Sequence, residues 1–135
     1  MKRILGIDYG SVRVGLAISD PLGISAQPLK YLTNDKQLIT NLAAIIAEKK
    51  AELILLGLPK SLGGGDSPQT EKVRSFAEAL GKAANIEVKL WDERMSTKAV
   101  EKVLIDADLS RKKRKQVIDS AAACYILQGY LNSER

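Results

Sequence analysis

From the N-terminus, apolar positions first come in short runs. Arg3 to Tyr9 reads RILGIDY, and Val12 to Ser19 reads VRVGLAIS after a Gly10-Ser11 turn. Two such runs across so tight a turn predict an antiparallel hairpin. Ile24 to Leu32 follows with Pro28 inside it, which suits a third strand at the sheet edge, where a missing N–H does no harm. The pattern then changes period. From Asp35 to Lys50, Leu38, Leu42, Ile45 and Ile46 recur at helical spacing, with Asn34 as the expected N-cap. Leu53 to Leu56 is an unbroken apolar LILL between Glu52 and Gly57, as in a strand covered on both faces.

The segment PKSLGGGDSP carries too many glycines and prolines for regular structure. A helix is expected after it, from about Gln69 to Lys82, with Val73, Phe76, Ala77 and Leu80 on one side. Ile86 to Trp91 predicts a fifth strand, and Ser96 can cap a helix running to about Ala107. A last helix is expected from about Val117 to Leu131. The order β-β-β-α-β-α-β-α-α predicts a single α/β domain over residues 1–135. Its five-stranded mixed sheet has antiparallel first three strands and helices on both faces, the arrangement of a ribonuclease H-like fold.

Composition narrows the chemistry. At 135 residues and 45% hydrophobic the chain can bury one substantial core. It has no histidine, which excludes Ser-His-Asp and Cys-His catalysis, and its one cysteine, Cys124, can form no internal disulfide. No apolar stretch is long enough to span a bilayer and no export signal is visible, so a cytoplasmic protein without membrane contact is expected. The net charge of +5 is local: Arg111, Lys112, Lys113, Arg114 and Lys115 are all basic, and without them basic and acidic residues balance at 16 each. Such a run serves equally as a solvated helix end or as a patch for a polyanion.

Four acids fall where chemistry is expected. Asp8 ends the first strand, where the plainer role is turn initiation. Asp92 and Glu93 follow the fifth strand, with Arg94 next. If that strand is parallel to the first, they leave the sheet at the same edge, although a polar helix cap would also explain them. Asp119 falls in the first turn of the last helix, where a favourable pairing with the helix dipole would already explain it. Yet Ala121, Ala122 and Ala123 follow, and their small side chains let a helix lie close to a sheet and bring Asp119 toward Asp8. Crowded carboxylates repel, and binding a cation relieves them. Without histidine, an oxygen site for Mg²⁺ or Mn²⁺ is expected, with Asp8, Asp92, Glu93 and Asp119 as candidate ligands. Arg13, Lys60, Arg94 and Arg111 to Lys115 are candidate phosphate contacts.

GIDYGSVRVGLAISD at 6–20, LLGLPKSLGGG at 55–65, LWDERMST at 90–97 and KRKQVIDSAAACYILQGYL at 113–131 together resemble the YqgF family, whose members are also called RuvX. The resemblance covers nearly the whole chain in order. It implies a ribonuclease H-like nuclease using divalent metal, with catalytic acids at Asp8, Glu93 or Asp92, and Asp119. The implied substrate is the 5′ end of pre-16S rRNA or, alternatively, a branched DNA junction, and the expected assembly is a monomer or homodimer. Two readings compete. A phosphotransferase of the actin and sugar-kinase type would share the D-Y-G hairpin but needs two lobes, and a non-catalytic RNA-binding assembly factor would use only the basic segment.

Overall fold

A computed structural model describes residues 2–58, 68–92 and 120–134 of the chain. Five strands, β1 (Ile4–Tyr9), β2 (Arg13–Ser19), β3 (Ala26–Thr33), β4 (Leu53–Leu58) and β5 (Glu87–Asp92), form one sheet in the order β3-β2-β1-β4-β5. β2 is antiparallel to both β1 and β3, while β4 runs parallel to both β1 and β5. The expected mixed sheet is therefore present. Pro28 lies on β3 at the edge, opposite Ala17 of β2.

Three described helices cover the sheet. α1 (Leu38–Lys49) and α2 (Pro68–Ala84) pack on one face, and α3 (Ala121–Ser133) packs on the other against β1, β2, β3 and β4. The first face is built from large aliphatic side chains: Leu5 and Ile7 of β1, Leu16 of β2, and Ile54 and Leu56 of β4, all fully buried beneath Leu42, Val73 and Leu80 of the helices. The second face is thinner. There Ile4, Ala17, Leu53 and Leu55 meet Ala123, Ile126, Leu127, Tyr130 and Leu131 of α3. The helical positions expected to be apolar are those the core uses, with Leu38, Leu42, Ile46, Val73, Phe76 and Leu80 buried and Ile45 and Ala77 packed against them.

Element ends differ from the sequence expectation for local reasons. β4 extends through Leu58, because β5 goes on pairing with it at Gly57 and Leu58, opposite Trp91 and Asp92. α2 starts at Pro68, whose missing N–H costs nothing in a first turn. Asn34 does not cap α1. Its side-chain amide donates to the Gly10 carbonyl at 2.7 Å and its backbone N–H to the Val12 carbonyl at 2.8 Å, tying the β1–β2 turn to the end of β3. The Asp35 carboxylate accepts instead from the Gln37 N–H at 2.9 Å, just ahead of the helix. The helix expected from Ser96 to Ala107 and the start expected for the last helix at Val117 lie outside the described residues. No described helix is long and apolar enough to cross a membrane.

Candidate nuclease site

β1, β4 and β5 are mutually parallel, so their C-terminal ends share one edge of the sheet, and Asp8 stands on the penultimate residue of β1 at that edge. Strand alternation assigns its face. Leu5 and Ile7 point into the core under α1 and α2, whereas Ile4 packs with α3 and Gly6 lies against it, so Asp8 shares the α3 side. Its cross-strand partner is Gly15 of β2, which leaves the position beside it on this face without a side chain.

Two features bring the start of α3 down beside Asp8. The first is Gly6. A Cβ there would sit 3.0 Å from Leu127 Cβ and 3.2 Å from the Ala123 carbonyl oxygen, so the helix backbone occupies space that any other residue would fill. Ala123 is fully buried at this contact and Ala121 is fully buried two residues nearer the helix start, in keeping with the close approach expected from the small residues. The second is Ser120, also fully buried. The β2–β3 register shifts between Val14 and Leu16, and this irregularity opens the ladder there. The Ser120 hydroxyl spans the gap, accepting from the Leu16 N–H at 3.2 Å and donating to the Leu29 carbonyl at 2.7 Å. Although it occupies the N-cap position, it makes no side-chain cap bond within its own helix. The helix start is thereby fixed to β2 and β3 at Leu16, adjacent to the Gly15 that faces Asp8.

The other expected residues divide sharply. Asp92 ends β5, level with Leu58 of β4. Val88 and Leu90 pack on the α2 side while Trp91 packs on Tyr130 of α3, so alternation gives Asp92 the face opposite to Asp8. Two strand spacings, about 10 Å, also separate the two strands. Trp91 is half-buried, edge-on to Tyr130 with ring centroids 5.5 Å apart, which is a packing role. Arg13 is exposed, with its guanidinium 5.1 Å over the Tyr31 ring. Glu93, Asp119, Lys60, Arg94 and Arg111 to Lys115 lie outside the described residues. Among the described residues, no three His, Cys, Asp or Glu side chains gather closely enough to hold a metal.

The donor chemistry available to a cation is narrow. The chain has no histidine, and burial pushes the thiol of Cys124, its one cysteine, up to about 12, which favours the neutral form. Carboxylate oxygens remain, a donor set that suits a hard divalent ion. Gly6, Gly15, Ser120 and Tyr31 were not among the expected site residues. Ser120 alone left a trace in the sequence, as a polar residue between Asp119 and three alanines.

A family model described as RuvX, Holliday junction resolvase, matches residues 2–133. A Desulforamulus reducens protein provisionally named pre-16S rRNA nuclease is 49% identical over 133 residues, 97% of each chain. A Clostridium kluyveri protein of the same name is 47% identical over 133 residues, 96% of each chain. Among solved structures, RuvC of Thermus thermophilus in complex with a Holliday junction substrate aligns with a TM-score of 0.63 at 13% identity, over 99% of this chain and 96% of that one. The fowlpox virus resolvase with its junction DNA aligns with a TM-score of 0.61 at 16% identity, over 98% of both. At such identities these alignments speak to architecture, and the sheet and helices described above are a ribonuclease H-like fold.

Proposed function

The chain belongs to the RuvX family, and from that premise we propose that it is a cytoplasmic, divalent-metal-dependent nuclease that processes the 5′ end of pre-16S rRNA. The reading rests first on Asp8: a carboxylate at the edge shared by three parallel strands, with the start of α3 fastened beside it by Gly6 and Ser120. Relatives at 47% and 49% identity bear the name of that activity. The substrate is carried over from those names.

Asp8, Glu93 and Asp119 are the residues we assign to holding Mg²⁺ or Mn²⁺. Asp92 ranks below Glu93, because strand alternation puts Asp92 on the face away from Asp8. Asp119 is assigned because it directly precedes Ser120, whose hydroxyl is bonded to the strand that pairs with β1. When bound, such an ion makes water a usable nucleophile at neutral pH and stabilises charge on the departing oxygen. In a protein without histidine, the work left to the chain is to hold carboxylates together and to orient the strand being cut. Arg13, Lys60, Arg94 and the basic run Arg111 to Lys115 are assigned to phosphate contacts, which give salt-sensitive affinity without sequence reading.

A second reading, cleavage of four-way DNA junctions, is favoured by the description of the matching family and by the two junction-resolving structures that share the fold. Both activities use the same acids, and they separate by substrate. Asp8→Asn should abolish Mn²⁺-dependent cleavage while RNA binding is kept or strengthened, since a ligand and a negative charge are both lost. Cleavage at the wild-type rate in that variant overturns the metal site. Preferential cutting of a four-way DNA junction over an RNA spanning the 16S 5′ end would transfer the assignment to the second reading.

A further inference from the structure

We propose that this chain pairs with a second copy of itself through the edge of the sheet opposite Asp8, where an apolar turn stands beside a cavity that receives the same turn of the other copy. The inference is independent of the nuclease reading and concerns a surface that reading does not use.

The β2–β3 turn supplies the projecting half. Leu22 and Ile24 are 67% and 51% exposed, yet the backbone that carries them is fixed. The Asp20 carboxylate accepts from the N–H groups of Ile24 at 2.6 Å and Ser25 at 2.9 Å, and the Asp20 carbonyl accepts from the Gly23 N–H at 2.9 Å. Gly23 is buried with a φ of 70°, a conformation that favours glycine. Gln128 of α3 then ties the turn to the helix, donating to the Ile24 carbonyl at 2.9 Å and accepting from the Ala26 N–H at 3.0 Å. Apolar groups already held in place lose little freedom on binding, which makes them effective anchors.

The receiving half begins at the same glycine. Gly23 lines a cavity of about 410 Å³ floored by Ile4, Leu53, Tyr130 and Leu131, ample for an aliphatic side chain. It exists because α3 packs on β1, β2, β3 and β4, while the start of β5 extends beyond the helix. Glu87 and Lys89 share the α3 face with Trp91 and are nonetheless exposed. Lys89 leans over the Tyr130 ring, with its ammonium 5.1 Å from the centroid. The charged lining residues are all exposed and form the rim: Lys2 and Lys89 against Glu87 and Glu134. Among the described residues, no ion pair joins any two of these four.

A second copy is the occupant these features select. In a two-fold contact each copy presents the same patch, so one patch must carry both a projection and a recess, and both signs of charge. Here the projection and the recess meet at Gly23, and lysines balance glutamates at the rim, so lysine can meet glutamate across the axis. A projection and a recess on separate surfaces would instead build an open chain of molecules. A polyanion would find no net positive charge on this rim, since the excess of the chain lies in Arg111 to Lys115. Asp8 stands about 13 Å along β1 from Ile4, at the other end of the strand, so pairing here leaves the candidate nuclease edge of each copy open.

Sedimentation velocity of the full chain over a concentration series, without divalent metal, tests the proposal. A monomer–dimer equilibrium is expected, with no larger species. Leu22→Asp places a charge in the partner's cavity twice per dimer and should raise the dimer dissociation constant by about a hundredfold or more. Its circular dichroism and its cleavage per chain should match wild type. Lys2→Glu with Lys89→Glu makes the rim acidic, and Glu87→Lys with Glu134→Lys makes it basic. Each double variant alone should be monomeric, and an equimolar mixture of the two should form dimers again. Should Leu22→Asp fail to fold, the mixed rim variants still decide. A wild-type chain that stays monomeric at every concentration overturns the proposal and assigns the patch to a different partner. So do dimers that Leu22→Asp leaves intact, a mixture that fails to pair, or species that keep growing with concentration. None of these outcomes depends on cleavage, which Asp8→Asn tests separately.

Discussion

The two faces of the sheet solve different problems with the same strands. Toward α1 and α2, the strands present Leu5, Ile7, Leu16, Ile54 and Leu56, and every one is fully buried. Toward α3, β1 presents Ile4, then Gly6, then Asp8, a decreasing apolar volume that ends in a charge. The first face maximises area removed from water, which is where most of the stability of a small domain comes from. The second gives up side-chain volume so that one helix can lie close, and its start comes to rest beside the carboxylate. Stability and site geometry are thus assigned to opposite sides of β1, and residues adjacent in sequence serve different ends.

Substitution on the thick face should have the largest effect on stability and the smallest on geometry. Leu56→Ala removes a fully buried side chain on an interior strand of the sheet and should destabilise by about 2–5 kcal/mol in urea unfolding. Cleavage per folded molecule, measured well below the transition, should remain near wild type. A loss of activity in the folded protein that exceeds the loss of folded protein would show that the two faces are not separable.

Gly6→Val attacks the thin face. Its Cβ alone would stand 3.0 Å from Leu127 Cβ, and the added methyl groups have nowhere to go unless α3 moves. Overpacking of this kind costs about 1–3 kcal/mol, less than the leucine deletion. Here the order reverses for activity: a displaced helix carries Ser120 and its neighbours away from Asp8, so cleavage should fall much further than stability does. Equal activity in Gly6→Val and wild type would separate the helix approach from the site.

How much of this division could be read in advance follows the same line. The thick face was legible, because large apolar residues at period two and at helical spacing state their own burial, and Leu38, Leu42, Val73 and Leu80 all fall as their spacing predicts. The shared strand edge was legible only on the condition that β5 runs parallel to β1, a condition the pairing through β4 meets. The thin face was only half legible. Ala121 to Ala123 announced a close helix, but Gly6 in a strand reads as a weakness until the helix backbone is seen above it. Asn34 reads as a helix cap because its competing acceptor, the Gly10 carbonyl, lies 24 residues away in the chain. The face of Asp92 depends on strand alternation that the sequence did contain and that a count from Trp91 would have revealed.

Ser120 is the residue where the two faces meet, and it supports the finest test. Its hydroxyl accepts from a β2 N–H and donates to a β3 carbonyl beside the register shift, and it does so from a fully buried position. Ser120→Ala takes this partner from the buried Leu16 N–H and the part-buried Leu29 carbonyl, a cost of about 1–3 kcal/mol in which no apolar contact is lost. The penalty is local, so exchange at the Leu16 amide should accelerate beyond what global unfolding explains, while the amides of β4 under α2 keep their protection. Cysteine at this position restores volume but only a weak donor, and should recover little. Threonine keeps the hydroxyl and adds a methyl group at a fully buried position, so it should restore the Leu16 protection only as far as α3 can shift. If Ser120→Ala exchanges at Leu16 as slowly as wild type, the hydroxyl is not what fastens the helix to the sheet. The approach of α3 to Asp8 would then rest on Gly6 and the alanines alone.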